Sequence, residues 1–261
     1  MTEREYREHP AISRSQLFKL RESPEKFKWA MDHPEQPTPA LVFGQLLHAM
    51  VLQPDTVDEQ FAVTTFGRKT KTFDKQQSEL AEAVTLVTKS EFEQAVAMKE
   101  KLESIDYVRQ LLSGEREKPF FWKDDLTGEE CKCRVDCLTS INGMNIIVDL
   151  KTAESADTDI FMRHAIKYGY NLQAAMYGEG VKANTGKEYA FVFVVIEKKP
   201  PYAINIMQAD KAFVLHGFDL FRELIGTYHE CKTTGNWYGY LGKHNIINNL
   251  PLPAYLAKEI E

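Results

Sequence analysis

The residue types best suited to hydrolytic chemistry lie close together in the middle of the chain. Asp149 and Lys151 end the segment MNIIVDLK (144–151), and Asp136 precedes them in EECKCRVDCLT (129–139). Carboxylate oxygens are favoured ligands of Mg²⁺. An ammonium beside them can orient or activate a water molecule and offset negative charge. This spacing therefore favours metal-dependent hydrolysis.

Strand periodicity would bring these groups together. Successive side chains of a strand point to opposite faces, so Asp149 and Lys151 share one face of segment 144–151, and the apolar residues between them share the other. A buried charge is costly unless it is paired or bound to a metal. Asp136, on the preceding strand, would supply the second carboxylate. The alternative is that Asp136 and Asp149 form structural ion pairs with Arg134 and Lys151.

The flanking sequence changes from helical to strand periodicity and back. Three alternating segments joined by short turns predict an antiparallel meander, and a later apolar run indicates a central strand buried on both faces. Strands are expected at 59–64, 118–124, 129–139, 144–151, 188–199 and 201–209. Helices are expected at 11–33 with a break near Ser23 and Pro24, at 40–53, in two stretches over 76–113, at 158–184 and at 210–233.

These elements predict an α/β (α+β) fold in which a central mixed sheet of βββαβ order is flanked by helices. We expect a single domain that comprises an N-terminal helical part, a catalytic sheet core, and a C-terminal helix and tail, at about 11–113, 118–210 and 211–261 of residues 1–261. The tail would form a subunit contact, recruit a partner protein or simply cover the core, through Trp237, Tyr238, Tyr240 and Tyr255.

The composition permits a nucleic-acid enzyme in spite of a net charge of −6. Phosphate affinity depends on where Lys and Arg lie, and metal ions bound at carboxylates reverse the local sign. The acidic total favours a confined basic channel, or a ring with an acidic outer surface. No apolar run approaches the roughly 18–20 residues that span a bilayer, and the N-terminus has no signal-peptide character. We therefore expect a cytoplasmic protein with no membrane partner.

Three of the four cysteines crowd into the segment CKCRVDC (131–137). This spacing matches neither a disulfide framework nor the CxxC pairs of zinc sites. Strand alternation predicts Cys131, Cys133 and Cys137 on one face with Val135, as small buried hydrophobes. An iron–sulfur cluster is the alternative, but it needs four well-placed thiolates, and Cys231 is remote in sequence.

Several motifs resemble those of PD-(D/E)xK nucleases. Arg134-Val135-Asp136 lies about a dozen residues before Asp149-Leu150-Lys151, with Val135 where the family often has Pro. Because the metal chemistry uses the Asp side chain, this departure matters little. The flanking motifs narrow the resemblance to RecE-type (exonuclease VIII-like) phage recombination exonucleases: IxxSxLxxLxxSPxxFxW from Ile12 to Trp29, GxxxH from Gly44 to His48, and QxxxY at Gln173 and Tyr177.

The resemblance implies a two-metal site for Mg²⁺, with Mn²⁺ as a substitute. It makes His48, Asp136 and Asp149 side-chain ligands and the backbone carbonyl of Leu150 a further ligand. Lys151 would position the water that attacks the phosphodiester in line. Taken alone, His48 also fits a core histidine on an apolar helix.

Further residues are expected to contact DNA. Gln173 and Tyr177 lie four apart on one helical face, and the resemblance places them at the scissile strand or its phosphate; the alternative is ordinary helix packing. The weaker candidates are Ser13, Arg14, Arg68, Lys69, Lys71 and Arg134. Among these, Ser13 fits a helix cap better than a DNA contact, and the basic segment 66–76 fits a solvated, mobile loop better than a loop that grips the DNA strand.

The biological role is implied by the resemblance alone. It is processive 5′→3′ digestion of linear double-stranded DNA from its ends, which leaves 3′ single-stranded overhangs for a single-strand annealing (RecT-like) protein in recombination. Processivity requires enclosure or a long contact track, so a homo-oligomeric ring is expected, with a tetramer favoured over a trimer. The gene would belong to a phage or prophage in a bacterial host. The alternatives are an endonuclease or CRISPR-associated end-trimming nuclease, and a non-catalytic DNA-binding module.

Overall fold

The computed structural model describes residues 3–243 and 247–252 of the chain. Within this part, strands and helices alternate around one mixed sheet. The strands are β1 (Ile12–Ser13), β2 (Phe61–Thr64), β3 (Thr85–Thr88), β4 (Glu115–Lys123), β5 (Glu130–Ile141), β6 (Met144–Ala153), β7 (Ala190–Glu197) and β8 (Ile204–Gln208). The helices are α1 (Glu3–Glu8), α2 (Arg14–Leu20), α3 (Pro24–Asp32), α4 (Pro39–Leu52), α5 (Val57–Gln60), α6 (Lys71–Glu79), α7 (Lys89–Glu103), α8 (Asp106–Leu111), α9 (Thr158–Lys167), α10 (Tyr170–Thr185) and α11 (Lys211–Thr234).

The central sheet has six strands in the described part of the chain. β4, β5 and β6 form an antiparallel meander. β6 then pairs in parallel with β7, and β7 pairs antiparallel with β8. β7 lies in the interior of the sheet, which explains its continuous apolar sequence. The predicted mixed sheet of βββαβ order, flanked by helices, is confirmed.

β5 and β6 diverge near the middle of the sheet. Their pairing runs from Ile141 and Met144 to Cys137 and Val148, and there it stops. β4 occupies the opposite edge of β5 from Glu130 to Leu138, so β1 and β6 share the remaining edge. β1 meets this edge only at residues 131 and 132. Residues 133–136 therefore border a gap between strands, and polar side chains converge on it.

Helices cover both faces of the sheet, because the two faces of its strands are apolar. On one face, α4, α7 and α8 form a core cluster with Val148 and Leu150. On the other face, α9 and α10 pack over Ile147, and α2, α3 and α11 continue this layer. Alternate residues of β6 thus point to opposite helical layers, as the strand periodicity predicts.

Two helices replace the single helix predicted over 158–184. α9 ends at Lys167, and α10 begins at Tyr170. Between them Gly169 adopts a left-handed conformation with φ +69°. A Cβ at this position would lie 2.4 Å from the ring of Phe18, so both the conformation and the space require glycine. The prediction of one helix was wrong because this glycine is a break rather than a tolerated interior residue.

Segment 66–76 is not the basic loop that its composition predicts. Thr70 caps α6, which begins at Lys71. Arg68 Nε lies 2.6 Å from Glu91 Oε1, and its guanidinium lies over the ring of Phe73. The prediction of helix alone over 76–113 was wrong at β3, which pairs in parallel with β2 in a separate two-stranded sheet.

All four cysteines are free and buried, which confirms the core interpretation. The predicted common face is wrong for one of them. Cys133 and Val135 pack in the cluster under α10, whereas Cys137 packs in the cluster under α4. The alternation changes at Asp136, opposite Glu117, where the strand pairing is interrupted and Glu117 has φ +49°.

The described part of the aromatic tail covers the core. The ring of Trp237 stacks on Phe27 with centroids 5.4 Å apart, and the carbonyl of Tyr238 accepts a hydrogen bond from the backbone of Glu25. Tyr240 is largely exposed, with its ring near Lys26. Tyr255 lies outside the described residues.

Close contact between α10 and α11 depends on one glycine. A Cβ at Gly217 would lie 1.9 Å from the carbonyl oxygen of Asn171. Gly217→Ala is therefore expected to lower the free energy of unfolding by about 1–3 kcal/mol, because the helices must move apart. Urea unfolding measures the change. Gly226→Ala, on the same helix where a Cβ meets nothing within 4 Å, is the matched control, and we expect it to stabilise the protein by about 0.5–1 kcal/mol. Equal effects of the two substitutions would contradict the close packing.

The β4–β5 turn is docked on α11 by ion pairs. Asp124 is buried, accepts hydrogen bonds from Thr127, and lies 2.5 Å from the guanidinium of Arg222. Burial alone would raise the pKa of Asp124, but the contacts with Thr127 and Arg222 outweigh it and hold the pKa below its usual value. The folded state thus favours the ionised carboxylate.

This docking predicts a defined dependence of stability on pH. Because the pKa of Asp124 is lower in the folded state, its contribution is complete above the ordinary aspartate pKa and is lost as the pH falls through the folded value. Asp124→Asn is expected to cost about 1–3 kcal/mol at pH 7, with a deficit that shrinks on acidification. Urea unfolding at a series of pH values measures both quantities. Asp125→Asn, at the exposed neighbouring residue, is the control and should leave stability nearly unchanged. A deficit that stays constant down to pH 3 would refute the ion-pair assignment.

Candidate active site

His48 reaches the gap between β5 and β6 from α4. This helix starts at a Thr38 cap followed by proline and is almost entirely apolar, so it is buried against the sheet. His48 is a polar exception on this helix, and its side chain remains about a quarter exposed. Its Nε2 lies 2.6 Å from the carbonyl oxygen of Leu150, and its Nδ1 lies 3.5 Å from Asp136 Oδ2.

Asp136 occupies the point where β5 and β6 separate. Beyond Cys137, β6 has no backbone partner on β5. Instead, Asp136 Oδ2 accepts a hydrogen bond of 2.8 Å from the backbone N–H of Leu150. The carboxylate therefore replaces the missing strand contact and is fixed at the head of the gap. The backbone of Leu150 is held on both sides, because its N–H binds Asp136 and its carbonyl binds His48.

Asp149 and Lys151 form a buried pair on the face of β6 toward α10. Lys151 Nζ lies 2.5 Å from Asp149 Oδ2, and Gln173 donates a hydrogen bond to Asp149 Oδ1. Burial raises the pKa of Asp149 in spite of the ammonium beside it. Burial alone would lower the pKa of Lys151, but Asp149 and Asp136 outweigh it and raise the pKa. Lys151 is therefore held as an ammonium.

Glu117 is a site residue that the sequence interpretation missed. It lies in β4 opposite Asp136, and one oxygen of each carboxylate lies with a ring nitrogen of His48 in a group whose members are within 4.8 Å of one another. Burial, together with the charges of Asp136 and Asp149, raises the pKa of Glu117 to about 8. Arg134 Nε, 2.7 Å from Glu117 Oε2, offsets part of this repulsion.

The donor set fits a divalent cation. Carboxylate oxygens with one imidazole are ligands that Mg²⁺ and Mn²⁺ accept. Asp149 Oδ2 is buried and makes no well-directed hydrogen bond, although the Lys151 ammonium is adjacent. Three neighbouring carboxylates, those of Glu117, Asp136 and Asp149, repel one another, and a bound cation would relieve this repulsion. Among the described residues, however, the group with metal-site spacing contains Glu117 rather than Asp149.

Gln173 connects the site to the start of α2. Its side chain is buried. The amide nitrogen donates a hydrogen bond to Asp149, and the amide oxygen accepts one of 3.2 Å from the guanidinium of Arg14. Gln173 therefore fixes the orientation of Asp149 from within the protein. Tyr177, one turn later, is half-buried with its ring against Phe191. Burial raises the pKa of its phenol.

The weaker DNA-contact candidates lie in different surroundings. Ser13 caps α2 in a reciprocal capping box with Gln16, which confirms the cap interpretation. Arg14 lies beside Gln173, at the edge of the site. Arg134 lies inside the site, where it forms an ion pair with Glu117 and its guanidinium packs against the ring of Tyr6. The others lie on the segment that leads into α6: Arg68, held by Glu91, and the exposed Lys69 and Lys71.

Comparison with protein families identifies the family of the chain. Residues 13–249 match the family described as a PDDEXK-like domain of unknown function, DUF3799. The chain belongs to this PDDEXK-like family. The match spans His48, Glu117, Asp136, Asp149 and Lys151. It agrees with the RecE-type resemblance of the sequence motifs. Membership of a PDDEXK-like family supports a nuclease enzyme.

One solved structure shares the fold of this chain. A crystal structure from Eubacterium rectale, described as a "putative exonuclease", has a TM-score of 0.67 and 20% identity, and the match covers 98% of this chain and 97% of that one. At this identity the likeness shows the fold alone. A second structure, of SSO0001, has a TM-score of 0.39 with 15% identity over 86% of this chain and 81% of that one, which is too low to carry an argument. A comparison with curated proteins gives no match.

Within residues 3–243 and 247–252, no helix combines the length and the apolar character needed to cross a bilayer.

Proposed function

We propose that this protein is a metal-dependent DNA exonuclease that hydrolyses phosphodiester bonds of linear double-stranded DNA. The observation that carries the proposal is the convergence of His48, Glu117 and Asp136 beside the Asp149–Lys151 pair, in a chain of the PDDEXK-like family. Carboxylates and an imidazole would hold the metal, and a fixed ammonium lies next to them. This combination matches what phosphodiester hydrolysis requires.

Each group has a distinct task in this proposal. His48, Glu117, Asp136, Asp149 and the Leu150 carbonyl are the candidate ligands of Mg²⁺, for which Mn²⁺ substitutes. Bound there, the cation would lower the pKa of water and offset the charge that develops on the phosphate.

The remaining groups position the reactants. Lys151 Nζ is held as an ammonium by Asp149 and donates hydrogen bonds to the attacking water and the phosphate. Gln173 keeps Asp149 in the orientation that holds Lys151. Arg14, at the outer end of this chain of contacts, is suited to bind a phosphate of the substrate strand. Tyr177 remains a proposed contact of the scissile strand.

The resemblance to RecE-type exonucleases supports the finer proposal. The enzyme would digest one strand in the 5′→3′ direction and leave 3′ overhangs for an annealing protein of the RecT type, in phage recombination within the bacterial cytoplasm. Continued digestion without dissociation requires that the DNA be enclosed, so we propose a homo-oligomeric ring, with a tetramer favoured over a trimer. Sedimentation of the protein alone and on linear DNA measures this. A monomer that cuts distributively would exclude the ring.

The decisive experiment is hydrolysis of end-labelled linear duplex with Mg²⁺ and with EDTA. Label on the 5′ or the 3′ end reports the direction of digestion, and 5′-phosphorylated and 5′-hydroxyl ends report end recognition. We expect Mg²⁺-dependent release of nucleotides from 5′ ends, with covalently closed circular duplex left intact. Cutting of the circle would instead identify an endonuclease. No hydrolysis of either substrate by folded protein, with Mg²⁺ or Mn²⁺, would exclude the proposed activity.

A further inference from the structure

Two tyrosines form a path from the buried ammonium to the protein surface. The ring of Tyr170 lies 4.9 Å from Lys151 Nζ. The ring of Tyr168 follows with a centroid distance of 6.2 Å and an angle of 35° between the ring planes. Tyr170 is half-buried, whereas Tyr168 is 49% exposed. The aromatic faces therefore lead outward from the position where the scissile phosphate would lie.

Two cationic side chains and a histidine border the same path. Lys167 Nζ lies 5.5 Å from the centre of the Tyr168 ring, and the imidazole of His164 packs edge-on against it. Arg14 lies 6.0 Å from the centre of the Tyr170 ring and donates a hydrogen bond to the carbonyl of Tyr168. Aromatic rings interleaved with cations are the arrangement that binds single nucleic-acid strands, because bases stack on the rings and phosphates contact the cations.

The backbone at this junction is fixed by the fold. The N–H of Tyr168 closes α9 on the carbonyls of His164 and Ile166, and Gly169 reverses the chain in a left-handed conformation against Phe18. Tyr168 thus projects from a helix end with a defined position rather than from a long loop. Such a ring can serve as a preorganised platform at little entropic cost.

We propose that Tyr168 stacks on a nucleobase next to the scissile phosphate, with Lys167 and Arg14 on the adjoining phosphates of the same strand. The inference rests on the proposed nuclease function and specifies how the strand is held. The alternative is that this surface binds a protein partner, since α9 also exposes Ile160, Met162 and Ile166. The cations around Tyr168 favour the nucleic acid over an apolar partner.

The test compares Tyr168→Ala with Tyr168→Phe in steady-state digestion of linear duplex with Mg²⁺. Loss of the ring is expected to raise KM for DNA about tenfold, the size of one base-stacking contact, while kcat changes less than threefold. Tyr168→Phe should retain the parental KM, because stacking uses the ring and not the hydroxyl. Tyr107→Ala, at a similarly exposed tyrosine on α8, is the matched control. All variants should have the same melting temperature, which would show that the change in KM reflects a lost substrate contact and not a damaged fold.

A spectroscopic readout reports the stacking directly. Duplex carrying 2-aminopurine near its 5′ end is mixed with protein in Ca²⁺, which replaces Mg²⁺ to prevent hydrolysis. The parent and Tyr168→Phe are expected to change the 2-aminopurine fluorescence on binding, and Tyr168→Ala is not. If the parent digests DNA while Tyr168→Ala keeps its KM and its fluorescence change, the stacking proposal is wrong and the nuclease proposal stands. If Tyr168→Ala instead alters only the oligomeric state, the surface is a protein contact. If the parent digests no DNA at all, the nuclease function itself fails.

Discussion

Lys151→Ala is expected to reduce metal-dependent hydrolysis of linear DNA by about 10²–10⁴-fold, the contribution of a well-placed proton-handling or charge-offsetting group. The side chain is nearly buried and held 2.5 Å from Asp149, and the surrounding carboxylates keep it charged. Few other cations can take its place, because Arg134 is bound to Glu117 and Arg14 to Gln173.

Measurements of folding and of metal binding distinguish loss of the ammonium's role in hydrolysis from disruption of the whole site. Removal of the ammonium leaves Asp149 buried with only Gln173 as a hydrogen-bond donor, so its pKa should rise further and the melting temperature should fall. Circular dichroism at the assay temperature shows whether the variant is folded, and titration with Mn²⁺ shows whether it still binds metal. Lys198→Ala is the matched control, since Lys198 is likewise a lysine in an ion pair, with Glu154 at 3.3 Å, but lies outside the candidate site. A folded Lys151→Ala protein with near-parental turnover would remove Lys151 from the mechanism.

The candidate site could be predicted largely from periodicity and spacing. Strand alternation places Asp149 and Lys151 on one face, and the meander predicts Asp136 on the adjoining strand. The structure brings these residues together with His48, which arrives from a helix about a hundred residues earlier in the chain. Only the GxxxH motif of the resemblance connected His48 to the others, since nothing in local sequence reports a contact of that range.

Glu117 could not be found by the same reasoning. The strand was predicted to begin at 118, three residues after its start at Glu115. Glu117 also has a positive φ of +49°, which no pattern of side chains predicts. The pairs on either side, Arg116 with Cys137 and Lys118 with Val135, place Glu117 opposite Asp136 at the point where the pairing of β4 and β5 is interrupted. The same interruption moved Cys137 to the opposite face from Cys133. One local distortion therefore accounts for both the missed ligand candidate and the wrong prediction for the cysteines.

Other errors arose where tertiary contacts decided the local structure. The helix breaks where Gly169 adopts a left-handed conformation, and Phe18 leaves no room for a side chain there. Lys69 and Lys71 make the segment at 66–76 look like a solvated loop, but the Arg68–Glu91 ion pair and the Thr70 cap turn its second half into a helix. Phe18 and Glu91 are distant in sequence from the segments they contact, and Thr70 does not stand out in the composition. Composition alone therefore favours the wrong interpretation.

The divergence of β5 and β6 explains why the site forms at this point of the sheet. A regular meander would have satisfied the backbone of Leu150 with β5. Because pairing stops at Cys137 and Val148, the Leu150 N–H and carbonyl instead bind Asp136 and His48. The strand separation thus creates both the opening and the requirement for polar side chains to fill it. A cation in the gap would bind the same side chains, Asp136 and His48, that replace the missing strand contacts.

Glu117→Gln tests this electrostatic description, and we expect it to weaken Mn²⁺ binding at least tenfold, since even supporting residues around metal sites contribute about 10–100-fold to affinity. Glutamine keeps the size of the side chain and one carbonyl oxygen but removes the charge that, beside Asp136, attracts the cation. Hydrolysis at low Mg²⁺ should fall in proportion and recover partly at high Mg²⁺, because the ammonium of Lys151 is unaffected. Isothermal titration calorimetry with Mn²⁺ measures the affinity without DNA.

The substitution weakens metal binding but is not expected to destabilise the metal-free protein. Burial and the charges of Asp136 and Asp149 raise the pKa of Glu117 to about 8, so without metal its carboxyl is mostly protonated at pH 7. Neutral glutamine is therefore expected to leave thermal stability in EDTA nearly equal at pH 7 and to raise it above pH 8, where the ionised carboxylate is repelled, in spite of the lost contact with Arg134. Glu115→Gln, two residues earlier on the same strand and paired with Lys118 at the surface, is the control and should change neither quantity. If Glu117→Gln binds Mn²⁺ as tightly as the parent does, Glu117 is a structural partner of Arg134 and the cation is held by His48, Asp136 and Asp149 alone. Weaker binding with unchanged or greater stability is the combination that a ligand, and not a structural ion pair, would produce.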